Sequence, residues 1–213
     1  YAPNSNYSQQ NEFKVGYNQQ NAGLLRFDLS SLPSGAVVTQ ATLQLYAAGW
    51  SGADISMGVY AVLRDVTISQ ATWNVAATGN AWAVPGGNDT NTDRRAVAES
   101  LVTTMGINRW YAFDLTSLVQ GWVSGALPNN GALLRQITSV PNSLLFASAE
   151  NSTPSWRPKL VITYRSAGKA MPQPPPVSET EAYITEMERR VELLEQLLRM
   201  IIDILRRAGR LGR

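Results

Sequence analysis

Short runs of alternating apolar and polar residues fill the first 165 positions, and this alternation limits the available folds more than any other feature. Leu25, Phe27 and Leu29 alternate with polar partners. So do Ala41, Leu43 and Leu45, then Ile55, Met57, Val59, Ala61 and Leu63. Tyr111, Phe113 and Leu115 repeat the pattern, as do Leu160, Ile162 and Tyr164. A period of two turns one face of each strand toward a core. Turn residues separate the runs at Pro33 to Gly35, Gly49 to Gly52, Pro85 to Gly87, Pro128 to Gly131 and Pro141-Asn142. Many short strands of this kind predict an antiparallel β-sandwich. A domain of this length buries roughly 70% of its unfolded surface, enough for a core without covalent staples.

Composition supports a folded chain with polar loops. Charged residues make up 16% of the 213 residues and hydrophobic residues 44%, whereas disordered chains are rich in charge and poor in apolar groups. The formal net charge of +2 gives no case for nucleic acid. Cysteine and histidine are both absent. That excludes thiol nucleophiles, disulfides, imidazole bases, the usual zinc sites and any Ser-His-Asp triad within this chain. No apolar run reaches the roughly 18–20 residues that span a bilayer. The chain opens at Tyr1 without a Met or a signal-like segment, which is expected of a processed product or of part of a longer chain.

The composition changes abruptly near residue 165. Gly168-Lys-Ala-Met-Pro-Gln-Pro-Pro-Pro-Val177 reads as a semi-rigid, polyproline-like spacer. The expected organisation is a β-sandwich over 1–165, a proline-rich linker over 166–177, a coiled-coil helix over 178–208 and a basic tail over 209–213. The helix opens on a capping box, Ser178-Glu-Thr-Glu181. Ile184, Met187, Val191, Leu194, Leu198, Ile201 and Leu205 then follow at alternating spacings of three and four, which are a and d positions of a heptad. Leu193, Leu197, Met200, Ile202 and Ile204 widen the apolar surface onto flanking c, e and g positions. That width predicts a homo-oligomer of three or more strands, or a coil that also packs on another protein. The alternative is a helix that folds back onto its own sandwich.

One internal echo stands out. Phe27-Asp-Leu-Ser-Ser-Leu32 recurs as Phe113-Asp-Leu-Thr-Ser-Leu118. Each copy reads as a strand entering one helical turn, with the Asp or the hydroxyl accepting bonds from free N–H groups there. After the second copy, Leu115, Leu118, Val119 and Trp122 sit at helical spacing and predict a short helix plugging one end of the sandwich.

These motifs occur together with Leu24-Leu-Arg-Phe-Asp-Leu-Ser-Ser-Leu-Pro33, Ala41-Thr-Leu-Gln-Leu-Tyr46, Ala71-Thr-Trp-Asn74 and Ala81-Trp-Ala-Val-Pro-Gly-Gly87. Trp110 to Trp122 and Arg157-Pro-Lys-Leu-Val-Ile-Thr-Tyr164 complete the set. In this order they resemble the DNRLRE-type domains of secreted bacterial and archaeal proteins, over about residues 1–164. The resemblance implies a jelly-roll-like fold and a non-catalytic, carbohydrate-binding-module-like role at a cell surface, in polysaccharide-degrading or surface proteins. Such domains usually open with a strand ahead of the Pro-Asn-x-Asn-Tyr motif. Here Tyr1-Ala-Pro-Asn-Ser-Asn-Tyr7 begins almost at that motif, so a neighbouring subunit supplying the strand is one expectation. The C-terminal heptads lie outside the family pattern.

Candidate sites follow from residue chemistry. Tryptophan faces stack on sugars and also build cores and interfaces. Of the six tryptophans, Trp73, Trp110 and Trp122 lie within strand or helix patterns and read as core. Trp50, between small residues, and Trp82, in a loop-like stretch, are the candidate ligand contacts. Asp89-x-Asn91-x-Asp93 resembles the opening of a calcium loop. However, Arg94 stands where such a loop needs Gly and Ser100 where it needs Glu. A polar loop closed by its own side chains is the favoured reading there, with calcium as the alternative and no other cofactor. No catalytic pair is assigned among the carboxylates, and the expectation is that the protein is not an enzyme.

Two functions remain open. One is an extracellular, non-catalytic module that binds polysaccharide and is made multivalent by its coiled coil. The other is a building block of an extracellular fibre or sheath, or a virion decoration or fibre protein, assembled with other subunits and without a sugar ligand.

Overall fold

The structure, a computed structural model, describes residues 2–166 and the helical backbone of 177–208, with side chains of that helix over 181–202. It divides into two compact units, Tyr1–Ala167 and Gly168–Arg213. The first is mainly β, with antiparallel sheets, and the second is a single described helix. The expected linker, apart from residues 166 and 177, and the expected tail at 209–213 lie outside the described residues.

Among the described residues, eleven strands run in the order β1 (Glu12–Gly16), β2 (Ala22–Leu25), β3 (Val37–Ser51), β4 (Ser56–Ala61), β5 (Val75–Ala77), β6 (Asn80–Ala81), β7 (Ser100–Thr103), β8 (Arg109–Asp114), β9 (Ala132–Gln136), β10 (Ser143–Ala147) and β11 (Lys159–Arg165). One sheet has the order β1-β10-β3-β11, with β8 also paired to β3. A second has the order β2-β9-β4-β7, and β5-β6 is a small hairpin. Within the fifteen residues of β3, positions 41, 43, 45 and 47 are buried while 42, 44, 46 and 48 are partly exposed. Its inward residues meet Met57 and Val59 of β4, Leu134 of β9 and Phe146 of β10 in one core shared by both sheets.

Helix α1 (Thr116–Val123) closes against this core through Leu118, Val119 and Trp122. Its entry shows what the internal echo does. Asp28 Oδ1 accepts from Ser30 N at 2.9 Å, and Asp114 Oδ1 accepts from Thr116 N at 2.9 Å and Thr116 Oγ1 at 2.6 Å. These bonds hold both carboxyls below the usual carboxylate range. Both copies therefore tie the Asp to the residue two positions on, and only the second continues into a helix.

The two outer faces differ. Residues 62–99 cross the outside of the second sheet, where Val62, Val66, Ala76 and Trp82 bury Leu133 of β9, with Ala22 and Leu24 of β2 packed alongside. Arg135 is trapped beneath this cover and donates to Gly86 O at 2.7 Å. Burial and the neighbouring Arg94 push its guanidinium down to about 10. Among the described residues, no such buried cluster is built on the outer face of the first sheet.

Gly131, entering β9, has φ +95°, and a Cβ there would lie 2.5 Å from Leu25 O. Gly131→Ala is therefore expected to destabilise the domain by about 1–3 kcal/mol, read as a lower urea midpoint with an unchanged slope.

Helix α2 spans Val177–Ala208, covering the range expected for the coiled-coil helix. Every side chain described on it, over 181–202, is exposed, including all six predicted heptad residues from Ile184 to Ile201. Leu205 falls where side chains are not described. No described helix is long and apolar enough to cross a membrane.

Candidate functional site

The open face of the first sheet carries a row of aromatic rings. Tyr46 of β3 lies directly opposite Trp110 of β8 in the antiparallel ladder. Their ring centroids are 5.5 Å apart, edge to face. On the other side of Tyr46, Trp156 stacks at 4.5 Å with 18° between the ring planes. Tyr46 is thus held between two indoles, and each indole remains 36% exposed.

Local chemistry fixes this geometry. Tyr111 and Phe113 point into the core, so Trp110, between Tyr111 and Arg109, must point outward. Trp156 belongs to a short 3₁₀ turn, Pro154–Trp156. Asn151 braces the loop that carries it: its Nδ2 donates to Asn11 O, its Oδ1 accepts from Thr153 N, and its backbone oxygen accepts from Arg157 Nε, each at 2.9 Å. Lys159, opposite Gln44 in the ladder, places Nζ 4.6 Å from the Trp110 ring centroid. Apolar ring faces therefore sit beside an ammonium group and a carboxamide on one rigid sheet surface. Such a surface can stack on an apolar ring face and hydrogen-bond to its polar edge. Nothing in the row is arranged as a nucleophile with an adjacent base.

This row corrects two expectations. Trp110, read as core, is on the outer face because its neighbours take the inward positions. Trp82, read as a loop contact, is 6% exposed: its ring lies in the cluster under residues 62–99 and its Nε1 donates to Thr72 O at 3.1 Å. Trp122 is buried, as expected. The Trp73 ring lies against Gly86, where a Cβ would meet it at 2.6 Å. Trp50 is 43% exposed near the end of β3 and stands apart from the ring pairs around Tyr46. Sequence reasoning missed Tyr46 and Trp156, although strand alternation around Leu45 places Tyr46 outward.

The Asp89, Asn91 and Asp93 loop has its own organisation. Asp93 is fully buried. Its Oδ1 accepts from Arg64 Nε at 2.8 Å and Ala83 N at 3.0 Å, and its Oδ2 accepts from Val84 N at 3.0 Å and Asp89 N at 3.3 Å. Asp89 Oδ1 accepts from Asn91 N, Thr92 N and Thr92 Oγ1. Asp93 thus spends both oxygens, and Asp89 one, on donors of this loop and its neighbours. A cation at Asp93 would compete with those donors for its oxygens. Among the described residues, no group of three or more Asp or Glu is placed to hold a metal.

A shallow groove lies at the end of β2, lined by Arg26, Phe27, Asp28, Leu29, Ile68 and Asn129. Arg26 Nη1 donates to Val66 O and Asn129 Nδ2 to Phe27 O, so both side chains brace loops.

A search of curated proteins finds no match to the chain. Residues 1–162 match the family model of the disaggregatase related repeat domain, which takes in nearly the whole β unit and stops short of the helix. The chain belongs to the disaggregatase related repeat domain family.

Proposed function

We propose that this is a non-catalytic extracellular binding protein whose β domain engages polysaccharide through the Trp110, Tyr46 and Trp156 row, and whose C-terminal helix self-associates as a coiled coil to make that binding multivalent. The observation that carries the reading is the aromatic row itself. Two indoles keep a third of their surface in solvent on a sheet face that no buried cluster of the β unit covers among the described residues, although burying such rings is favourable. Membership of a repeat-domain family fits a structural or binding role. The sequence resemblance to DNRLRE-type domains supports the carbohydrate and cell-surface parts of the proposal. The strand orders support a jelly-roll arrangement. With the β5-β6 hairpin set aside, counting strands along the chain gives 1-8-3-9, with 6 also paired to 3, in one sheet and 2-7-4-5 in the other.

Removing one ring of the row is expected to cost about 1–2 kcal/mol of binding, roughly 5–30-fold in affinity. Trp110→Ala and Trp156→Ala test this by affinity electrophoresis against a panel of soluble polysaccharides. Slower migration of the parent chain in at least one gel, relieved in both variants with unfolding midpoints close to the parent's, is the expected result. Unretarded migration in every gel would remove the polysaccharide reading.

The second reading is a building block of an extracellular fibre, sheath or virion surface without a sugar ligand. It draws on the same exposed apolar helix face, and it predicts extended assemblies in place of a discrete oligomer.

A further inference from the structure

We infer that α2 pairs with further copies of itself in parallel and in register, so that every β domain of the assembly leaves from the same end of the coil. This inference rests on the self-association proposed above and adds its direction. The described side chains of the helix are all exposed, and the a and d residues form a continuous stripe from Ile184 to Ile201. The seam alone does not choose a direction. The residues flanking it do, because parallel coils pair g with e of the next heptad, while antiparallel coils pair g with g and e with e.

With Ile184 at a, Tyr183, Arg190, Leu197 and Ile204 fall at g, and Glu181, Glu188, Glu195 and Ile202 fall at e. A parallel, in-register coil places Arg190 beside Glu195 of the next chain, an opposite-charge pair. It also places Leu197 beside Ile202, an apolar pair that extends the seam. An antiparallel coil aligned over the seam from Met187 to Leu205 places Glu195 against its own copy, Glu188 against Ile202 and Arg190 against Ile204. That arrangement has one like-charge contact and leaves two charges against apolar side chains, with no attractive flanking pair among these residues. Within one helix, Arg190 already reaches Glu186 at 3.0 Å and Arg199 reaches Glu195 at 3.4 Å. Arg190 and Glu195 would each exchange or share an existing surface partner, so neither is left unpaired on assembly. Arg206 and Arg207 continue the heptad at b and c, outside the seam, where salt screens their repulsion.

Because the chain lacks cysteine, single introduced thiols report direction without interference. Thr180→Cys adds a thiol at the d position one heptad before Met187. In a parallel coil it meets its own copy, and in the antiparallel coil it lies more than about 40 Å from it at 1.5 Å per residue. Glu195→Cys behaves in the opposite way. Each full-length variant would be oxidised with copper phenanthroline and run on a non-reducing gel, beside a light-scattering mass of the reduced parent. The expected result is an oligomeric parent, near-complete disulfide dimer for Thr180→Cys and little for Glu195→Cys. An oligomer in which Glu195→Cys crosslinks and Thr180→Cys does not would overturn the direction and leave self-association standing. Equal crosslinking of both variants would overturn a single direction. A monomeric parent would overturn self-association and the direction together.

Discussion

Asp93→Ala should unfold the domain at markedly lower denaturant, with a loss of about 3–5 kcal/mol. Asp93 is the one fully buried carboxylate among the described residues, and it organises a loop that has little apolar content of its own. Its two oxygens take Arg64 Nε and the backbone N–H groups of Ala83, Val84 and Asp89. Truncation would leave a guanidinium and three N–H groups facing a void, and unmade bonds at buried donors cost more than the bonds themselves contribute. The same loop covers Leu133 and Trp82, so its loss would also expose the smaller core. Urea unfolding of the variant beside the parent measures the effect. A loss below about 1 kcal/mol would mean that the loop is held mainly by its apolar contacts.

The pH dependence follows from the same geometry. Burial by itself would raise the Asp93 carboxyl, but the N–H groups of Val84 and Ala83, the Arg64 guanidinium and the Asp89 N–H outweigh it and hold the group below the usual range. A depressed folded-state value means that the ionised form is the one the fold prefers. The stability it contributes is complete above the unfolded-state value near 3.9 and is lost as pH falls through the lower folded-state value. Unfolding midpoints of the parent should therefore fall below about pH 4 more steeply than those of Asp93→Ala. Parallel pH curves for the two proteins would contradict this.

The second large effect concerns the helix. Leu194→Glu combined with Leu198→Glu should reduce the assembly to single chains. In the isolated helix these two side chains are 65% and 58% exposed. At neighbouring d and a positions they would become the middle of the coil on association. Two added carboxylates per chain would then be buried without partners, a cost of several kcal/mol each. Light-scattering mass is the readout. The parent should weigh three or more chains and the variant one, with the β domain unchanged in its far-ultraviolet spectrum. A variant that keeps the parent's mass would show that these residues lie outside any interface.

Strand alternation reported the fold well wherever one face of a strand is buried and the other is not. The runs around Leu43, Val59, Phe113 and Leu160 all lie on or beside observed strands. It failed at β9, Ala132-Leu-Leu-Arg-Gln136, because residues 62–99 cover the outer face and all five residues are buried. A strand buried on both sides has no alternation to read. β10 was missed for a related reason, since four of its five residues are buried.

The candidate site was legible only in part. Trp110 follows from the inward placement of Tyr111 and Phe113, and Tyr46 from that of Leu45. Their meeting depends on the register that sets Tyr46 opposite Trp110, and no local pattern specifies it. Trp156 depends further on a loop tied by Asn151 to Asn11, 140 positions away. Trp82 misled for the opposite reason. A polar, turn-rich stretch looks solvent-facing in sequence, yet it folds down as the lid of a second core.

The proposed function joins an aromatic surface on the β domain to a self-associating helix that multiplies it. Its most direct test is polysaccharide binding by the intact chain beside the Leu194→Glu, Leu198→Glu variant, each at equal domain concentration. Linking weak sites raises apparent affinity by about 10²–10⁴-fold without new contacts. Both proteins are expected to bind the same polysaccharide, the intact chain more tightly by that order, with Trp110→Ala weakening both. Equal affinities for the oligomer and the monomer, or binding indifferent to Trp110, would contradict it.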